Sequence, residues 1–315
     1  MTGIIVDRQH SGQVKADPTL NANLISNLKF RLKQGKLFIS NLLGSSHRSY
    51  ANVLSDLSTK ADNWFHKFIG DRRVKLVQVS PDLGESRLMQ LADTCHDKDV
   101  QILLQLPRIC ESPQKHHFLA WKIKRALDWL AALAILLVLS PVMLGLAAII
   151  KSTSKGSIFF YQWRVGERGR LFRIVKFRTM ITDADKLHHL VMTGQNGLHK
   201  CKHDPRITSV GRWMRKYSLD ELPQLFNVLR GEMSLVGPRP WALYDALRIN
   251  GYRKRRLNCL PGVTGAWQVS ARSTMLDLDA VTDCDLQYLR QWSIWNDLKI
   301  LLMTVPKVLS GFGAC

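Results

Sequence analysis

The sequence predicts an α/β protein in which a small soluble α/β region precedes a helix-rich monotopic membrane domain with a re-entrant helix hairpin and short strands. Three observations carry that reading. The runs "RVKLVQVS", "ESRLMQLADTCHDKD" and "VQILLQLP" show strand, helix and strand periodicity in turn. Ala126 to Ile150 is apolar apart from Asp128 and Ser140, and it holds Pro141. From Gly156 onward, short strand-like and helix-like runs alternate, with Arg and Lys set among aromatics. A length of 315 residues with 46% hydrophobic content suffices for two modest domains with real cores.

Taken in order, residues 1–70 have weak periodicity and predict an irregular N-terminal region. Residues 71–118 hold the βαβ-like unit and a linker, "RICESPQKHH". No glycine-rich loop joins its first strand to its helix, so a regulatory or scaffolding role is expected there rather than a dinucleotide site. Residues 119–155 are the expected hairpin. The apolar run is long enough to cross a bilayer, but Lys122, Lys124 and Arg125 flank one side and Lys151 and Lys155 the other, which favours both ends in the cytoplasm. Pro141 removes a backbone hydrogen bond, and Ser140 could bond the carbonyl so freed. A helix that bends at Ser140-Pro141 and returns satisfies both facts; a tilted, kinked span is the alternative. Residues 156–315 make the remaining domain.

The balance of 45 Lys+Arg against 25 Asp+Glu, a formal net charge of +20, calls for a polyanionic partner: nucleic acid, anionic membrane lipids or phosphorylated substrates. No nucleic acid is expected, because a nucleic-acid-binding protein leaves the apolar run unexplained. The six cysteines form no CxxC pair and the opening residues are polar, which predicts reduced thiols facing the cytosol.

Within 156–315, "LFRIVKFR" reads as a strand that projects Lys176 and Arg178 from one face, where two cations could hold a diphosphate; a solvated basic strand edge reads equally from the pattern. In "YSLDELPQLFNVLRG", Ser218 to Glu221 has the form of a capping box opening a helix that Gly231 closes. A helix N-terminus favours acids without any catalysis. Yet Arg206, Arg212, Arg215, Lys216 and Arg239 crowd the stretch, so Asp220 is expected to be held ionised as a nucleophile facing phosphate, with Glu221 as a magnesium ligand. Pro238 and Pro240 fix the backbone around Arg239 for bidentate phosphate binding. "HKCKH" offers His199, Cys201 and His203 as alternate ligands for zinc, without a fourth partner, or as a solvated loop.

"GSIFFYQWRVGERGRLFRIVKFRTM", "DPRITSVGRWMRKYSLDELPQLFNVLRGEMSLVGPRP", "LPGVTGAWQVSARS" and "DLQYLRQWSIWNDLKILLMTV" together resemble the bacterial sugar transferase family, the monotopic phosphoglycosyl transferases, from about Trp121 to the C-terminus. The resemblance implies transfer of a sugar phosphate, a hexose such as glucose or galactose, from a UDP-sugar to undecaprenyl phosphate, at the cytoplasmic face of the bacterial inner membrane, in exopolysaccharide, capsule or O-antigen synthesis. It implies Asp220 as the nucleophile that forms a covalent phosphosugar and expels UMP, and Glu221 beside it for Mg2+. Lys176, Arg215 and Arg239 match cations around the phosphates. Pro261, Gly262, Gly265 and Gln268 match a loop at the nucleotide end, and Ser140 and Pro141 match the membrane breakpoint. Ala271 stands where many members carry glycine, which bears on how Arg272 is presented. Trp292 and Trp295 fall in an apolar-basic helix suited to the membrane surface or to ordinary packing. A homodimer or polysaccharide assembly proteins are possible partners, and an inactive scaffold is the competing reading.

Overall fold

The computed structural model describes residues 28–33, 36–41, 69, 74–107, 117–182, 184, 204–270 and 277–311. The chain divides into two compact units, residues 1–105 with 169–171 and residues 106–168 with 172–315.

The first unit is a four-stranded sheet in the order β1 (Leu28–Lys33), β2 (Lys36–Asn41), β3 (Leu76–Val79), β4 (Gln101–Leu104), with α1 (Glu85–Asp97) between the last two. β1 and β2 are antiparallel; β2–β3 and β3–β4 are parallel. The βαβ unit read from the sequence is therefore present. Its core follows the two periodicities that reveal it: Val77 and Val79, then Ile102 and Leu104, are buried at alternate strand positions, and Leu88, Ala92 and Cys95 lie on one helical face. The region expected to be irregular contains β1 and β2. Leu37 and Ile39 are both buried, an alternation of two residues that is too short to stand out beside its Lys neighbours.

The second unit opens with α2 (Phe118–Thr153), 36 residues that would measure about 54 Å if straight. Its secondary structure is continuous through Ser140-Pro141, so a separate two-helix hairpin is not resolved as such. The break nevertheless has the expected chemistry. Proline lacks the N–H that would fill the Leu137 carbonyl, and the Ser140 hydroxyl donates to that oxygen at 2.8 Å. Leu137, Val138 and Leu144 around it are exposed. At the start of α2, the flanking Lys124 is buried: its Nζ donates to Asp128 at 3.0 Å and to Ser234 Oγ at 2.7 Å, and pairs with Asp297 at 3.1 Å. Arg125 donates to the Met233 carbonyl and to Asp128. These pairings let an apolar helix carry an acid.

After α2 come the paired strands β5 (Phe159–Val165) and β6 (Leu171–Phe177), turned at Arg168 and Gly169, both in the left-handed region. Then follow α3 (Ser209–Lys216), a 3-10 turn at Leu219–Glu221, α4 (Gln224–Leu229), β7 (Ser234–Val236), α5 (Leu243–Arg248) and a 3-10 segment, Gly251–Asn258. β8 (Gly262–Thr264) runs parallel to β7, and α6 (Ala266–Ser270), α7 (Leu278–Arg290) and α8 (Ile294–Ser310) complete the unit. One hydrophobic cluster joins α2, β6, α4, β7, α7 and α8. The two tryptophans read as suited to the membrane surface or to ordinary packing part company here. Trp292 is buried, donates to Asp297 and meets Trp121 edge-on at 5.3 Å, whereas Trp295 is 78% exposed.

Candidate active site

Three local devices bring the site together. The first is Asn227 in α4, fully buried, whose Oδ1 accepts from the Val175 N–H at 3.0 Å and whose Nδ2 donates to the Arg173 carbonyl at 2.9 Å. It makes the edge contacts of a missing strand neighbour and fixes α4 against β6, so Lys176 lies beside Glu221. The second is Thr179, just past β6. Its carbonyl accepts from the Thr208 N–H at the start of α3, its hydroxyl accepts from Arg215 Nε at 2.9 Å, and its backbone passes so close to Gly211 that any Cβ there would collide with it. The third is the contact of β7 with β8, where a Cβ on Gly262 or Gly265 would strike the Gly237 backbone, so "LVGPRP" and "PGVTG" must meet at glycine.

The acids sit in the 3-10 turn rather than at the start of an α-helix. Ser218 adopts a left-handed conformation, φ 53°, and makes no side-chain cap, and α4 begins only at Gln224. The capping box is thus not formed: Ser218 is used to reverse the chain between α3 and the turn, which leaves its backbone unable to act as an N-cap. Gly231, at φ 78°, does close α4, as its place in the sequence predicts.

Asp220 and Glu221 are both buried. Glu221 Oε1 accepts from Lys176 Nζ at 2.8 Å and from Arg239 Nη2 at 2.8 Å, while Arg239 Nη1 reaches Oε2 at 3.4 Å. Asp220 has no hydrogen-bond or ion-pair partner among the described residues, although Lys176, Arg215 and Arg239 all act on it electrostatically. Burial raises its carboxyl above the ordinary range; Lys176 pulls it back, the Glu221 charge pushes it further up, and Arg215 and Arg239 oppose the rise. Desolvation outweighs the surrounding cations in this arrangement, so the carboxyl is raised rather than lowered. Burial also lowers Lys176 and Arg215, whereas Glu221 raises Arg239.

The structure thus gathers Lys176, Arg215, Arg239, Asp220 and Glu221. It does not bring Arg178 to them: that guanidinium donates to the Ser154 carbonyl at 3.2 Å and the Ser154 hydroxyl at 2.7 Å, and also reaches the Lys155 carbonyl, because β6 ends at Phe177 and alternation no longer applies. Gln268, in α6, donates to the Val263 carbonyl of β8 rather than reaching the acids. Arg272, Ala271, His199, Cys201 and His203 lie outside the described residues. Sequence reasoning missed Thr179 and Asn227, and also Arg164 and Arg256, whose side chains reach the Pro240 and Arg239 carbonyls. The available signal for Asn227 was a pair of amides, Gln224 and Asn227, three residues apart in the otherwise apolar "LPQLFNVL"; nothing in the pattern singled out the two arginines.

An exposed apolar helix, joined to an α/β body in which buried carboxylates and cations converge, fits a membrane-associated class of protein. The comparisons narrow that class. Residues 119–311 match the bacterial sugar transferase family model, and the chain belongs to that family. It is 46% identical over 196 residues to the galactosyl transferase CpsE of Streptococcus agalactiae, covering 61% of this chain and 43% of that protein. It is 42% identical over 197 residues to the undecaprenyl-phosphate glucose phosphotransferase of Komagataeibacter xylinus, covering 58% of this chain and 35% of the relative. To the exopolysaccharide production protein ExoY of Rhizobium meliloti it is 39% identical over 203 residues, 61% of this chain and 87% of the relative. The matched part spans less than half the length of the first two relatives.

Proposed function

We propose that the chain transfers a hexose 1-phosphate, glucose or galactose, from a UDP-sugar to undecaprenyl phosphate. The observation that carries the reading is the Asp220 carboxyl, without a hydrogen-bond partner among the described residues, beside a Glu221 already engaged by Lys176 and Arg239. Asp220 Oδ attacks the phosphorus that bears the sugar, the bond to the bridging oxygen breaks, and UMP leaves with the electron pair. An oxygen of the lipid phosphate then attacks the same phosphorus and returns the Asp220 carboxylate. Phosphoryl transfer needs charge neutralisation more than proton transfer, and Lys176, Arg215 and Arg239 supply cations at the point of attack.

The two acids also fit a magnesium ion. Among the described residues no cluster of three or more potential ligands exists, but Mg2+ is commonly held by one or two carboxylates plus substrate phosphates. Asp220 and Glu221 would hold it, and it would neutralise the diphosphate as UMP departs. Glu221 would then share its charge between the metal and its two cations, freeing the cations for phosphate.

The same reading places the protein at the cytoplasmic face with α2 re-entrant. Its support is that Trp121, Ala132 and Leu136 before Pro141, and Met143, Leu146 and Ile150 after it, belong to one buried cluster. A helix leaving through the far leaflet would carry its second half away from that core. The reaction is tested by UMP release from UDP-sugars, with Mg2+ and undecaprenyl phosphate present. Release with one hexose donor, lowered by at least about 10³-fold in Asp220→Asn, is expected; release unchanged by that substitution would remove Asp220 from the chemistry.

A further inference from the structure

Pro238-Arg239-Pro240 has only one backbone N–H, since proline has none, so the sheet-like ladder that would ordinarily hold such a segment is closed to it. Its carbonyls are held instead. The Gly262 N–H donates to Pro238 O at 2.9 Å, Arg256 Nη2 to Arg239 O at 2.7 Å, Arg164 Nη1 to Pro240 O at 3.1 Å, and the Val165 N–H to Trp241 O at 3.2 Å. Four consecutive carbonyls are thus gripped from β8, the 3-10 segment and β5. Arg256 is itself fixed on three sides: its Nε donates to Asp285 at 2.8 Å, its Nη2 pairs with Asp285 at 2.7 Å, and its guanidinium lies 4.1 Å from the centre of the Trp241 ring.

The Arg256–Asp285 side chains are each 2% exposed. An ion pair so buried adds little or nothing to stability over a well-packed apolar pair, because desolvating two charges offsets their attraction. A role in stability alone therefore does not account for it, whereas the bond to the Arg239 carbonyl does. We infer that Arg256, with Arg164 beside it, is a positioning residue that fixes the Pro-Arg-Pro backbone so that the Arg239 guanidinium meets Glu221 and the donor diphosphate. This rests on the proposed reaction in taking the ligand of Arg239 to be a diphosphate. Arg256 touches no substrate in this scheme; it acts only through Arg239.

The test is a double-mutant comparison in the full-length, detergent-purified protein. The paired change Arg256→Met with Asp285→Leu removes the clamp without stranding a buried charge, and circular dichroism with thermal unfolding confirms that it folds. The kcat/KM for UMP release and the affinity for inorganic pyrophosphate are measured for that variant, for Arg239→Ala, for the combination and for the wild type. The clamp predicts a 10- to 100-fold loss from the paired change in the wild-type background and less than a 2-fold further loss once Arg239 is alanine. Equal losses in both backgrounds, or none in the first, would overturn it. If the paired variant fails to fold, Arg164→Gln, which removes one grip and leaves Asp285 paired, is put through the same cycle with the same expectation. Absent UMP release with intact pyrophosphate binding would sink the proposed reaction while the affinities still decide the clamp. A wild type that neither releases UMP nor binds pyrophosphate leaves Arg239 no phosphate to meet and overturns both.

Discussion

Among the described residues Asp220 is buried without a hydrogen-bond or ion-pair partner, and that state should set stability and activity against each other. Its native carboxyl is raised by burial above the unfolded value of about 3.9. The folded chain therefore binds a proton more tightly than the unfolded one, and the stability this contributes is complete below the unfolded value and is lost as pH rises through the native one. The proposed reaction requires the opposite form, since only a carboxylate can attack phosphorus. Asp220→Asn should accordingly unfold at a higher temperature than wild type near neutral pH, and the two curves should converge below about pH 4; a variant less stable at every pH would show that the cations, not desolvation, govern this carboxyl. That the acids lie among cations was legible from two carboxylates within a basic stretch. Their environment was not, because the competing term is the water removed by folding, and a sequence lists charges without listing burial.

Patterns set by the repeat of an element were readable, and features that depend on how elements meet were not. The β3–α1–β4 unit and the β6 strand follow directly from alternation and helical spacing. The capping box, by contrast, failed on a single left-handed residue, Ser218, which lies between α3, held against Thr179, and the 3-10 turn. Arg178 is similar: one residue past the end of β6 it leaves the strand's face and ties down Ser154 at the end of α2. Ser140-Pro141 stands between these cases: the pair announces a break locally, and the Ser140 hydroxyl fills the Leu137 carbonyl at 2.8 Å, while α2 stays helical through it. Restoring the missing N–H with Pro141→Ala, together with Ser140→Ala, recovers an interior hydrogen bond and relieves a clash that together cost about 3 kcal/mol in a helix. The re-entrant reading then predicts that a fraction of molecules straightens and crosses the bilayer. A protease-cleavable tag placed at residue 1 should become protected from cytoplasmic protease in the double variant and stay accessible in the wild type; equal accessibility in both would show that the break does not set topology.

At the scale of the whole molecule, the question is which force holds the chain at the membrane, because two are available and they respond oppositely to salt. A net charge of +20 attracts anionic lipid, at about 1 kcal/mol for each Lys or Arg near the surface. That attraction fades as the screening length falls from about 10 Å at 0.1 M to about 3 Å at 1 M salt. Burial of apolar area does not fade, and it contributes about 25 cal/mol per Å2. The structure offers such area along α2, through Leu137, Val138 and Leu144, and again on α8, where Trp295, Leu298, Leu302, Val305 and Leu309 are exposed at alternating spacings of three and four residues and so form one stripe. Membranes washed at 1 M NaCl should therefore retain most of the wild-type protein, and detergent should release it. Trp295→Glu with Leu302→Glu, which leaves α2 untouched, should shift only a minority to the soluble fraction, because the α2 apolar surface still anchors the chain. Release of the wild type by salt alone would mean that α2 does not enter the hydrocarbon. The lipid phosphate would then have to be lifted to a peripheral enzyme, and the advantage of a covalent intermediate that waits at the interface would be lost.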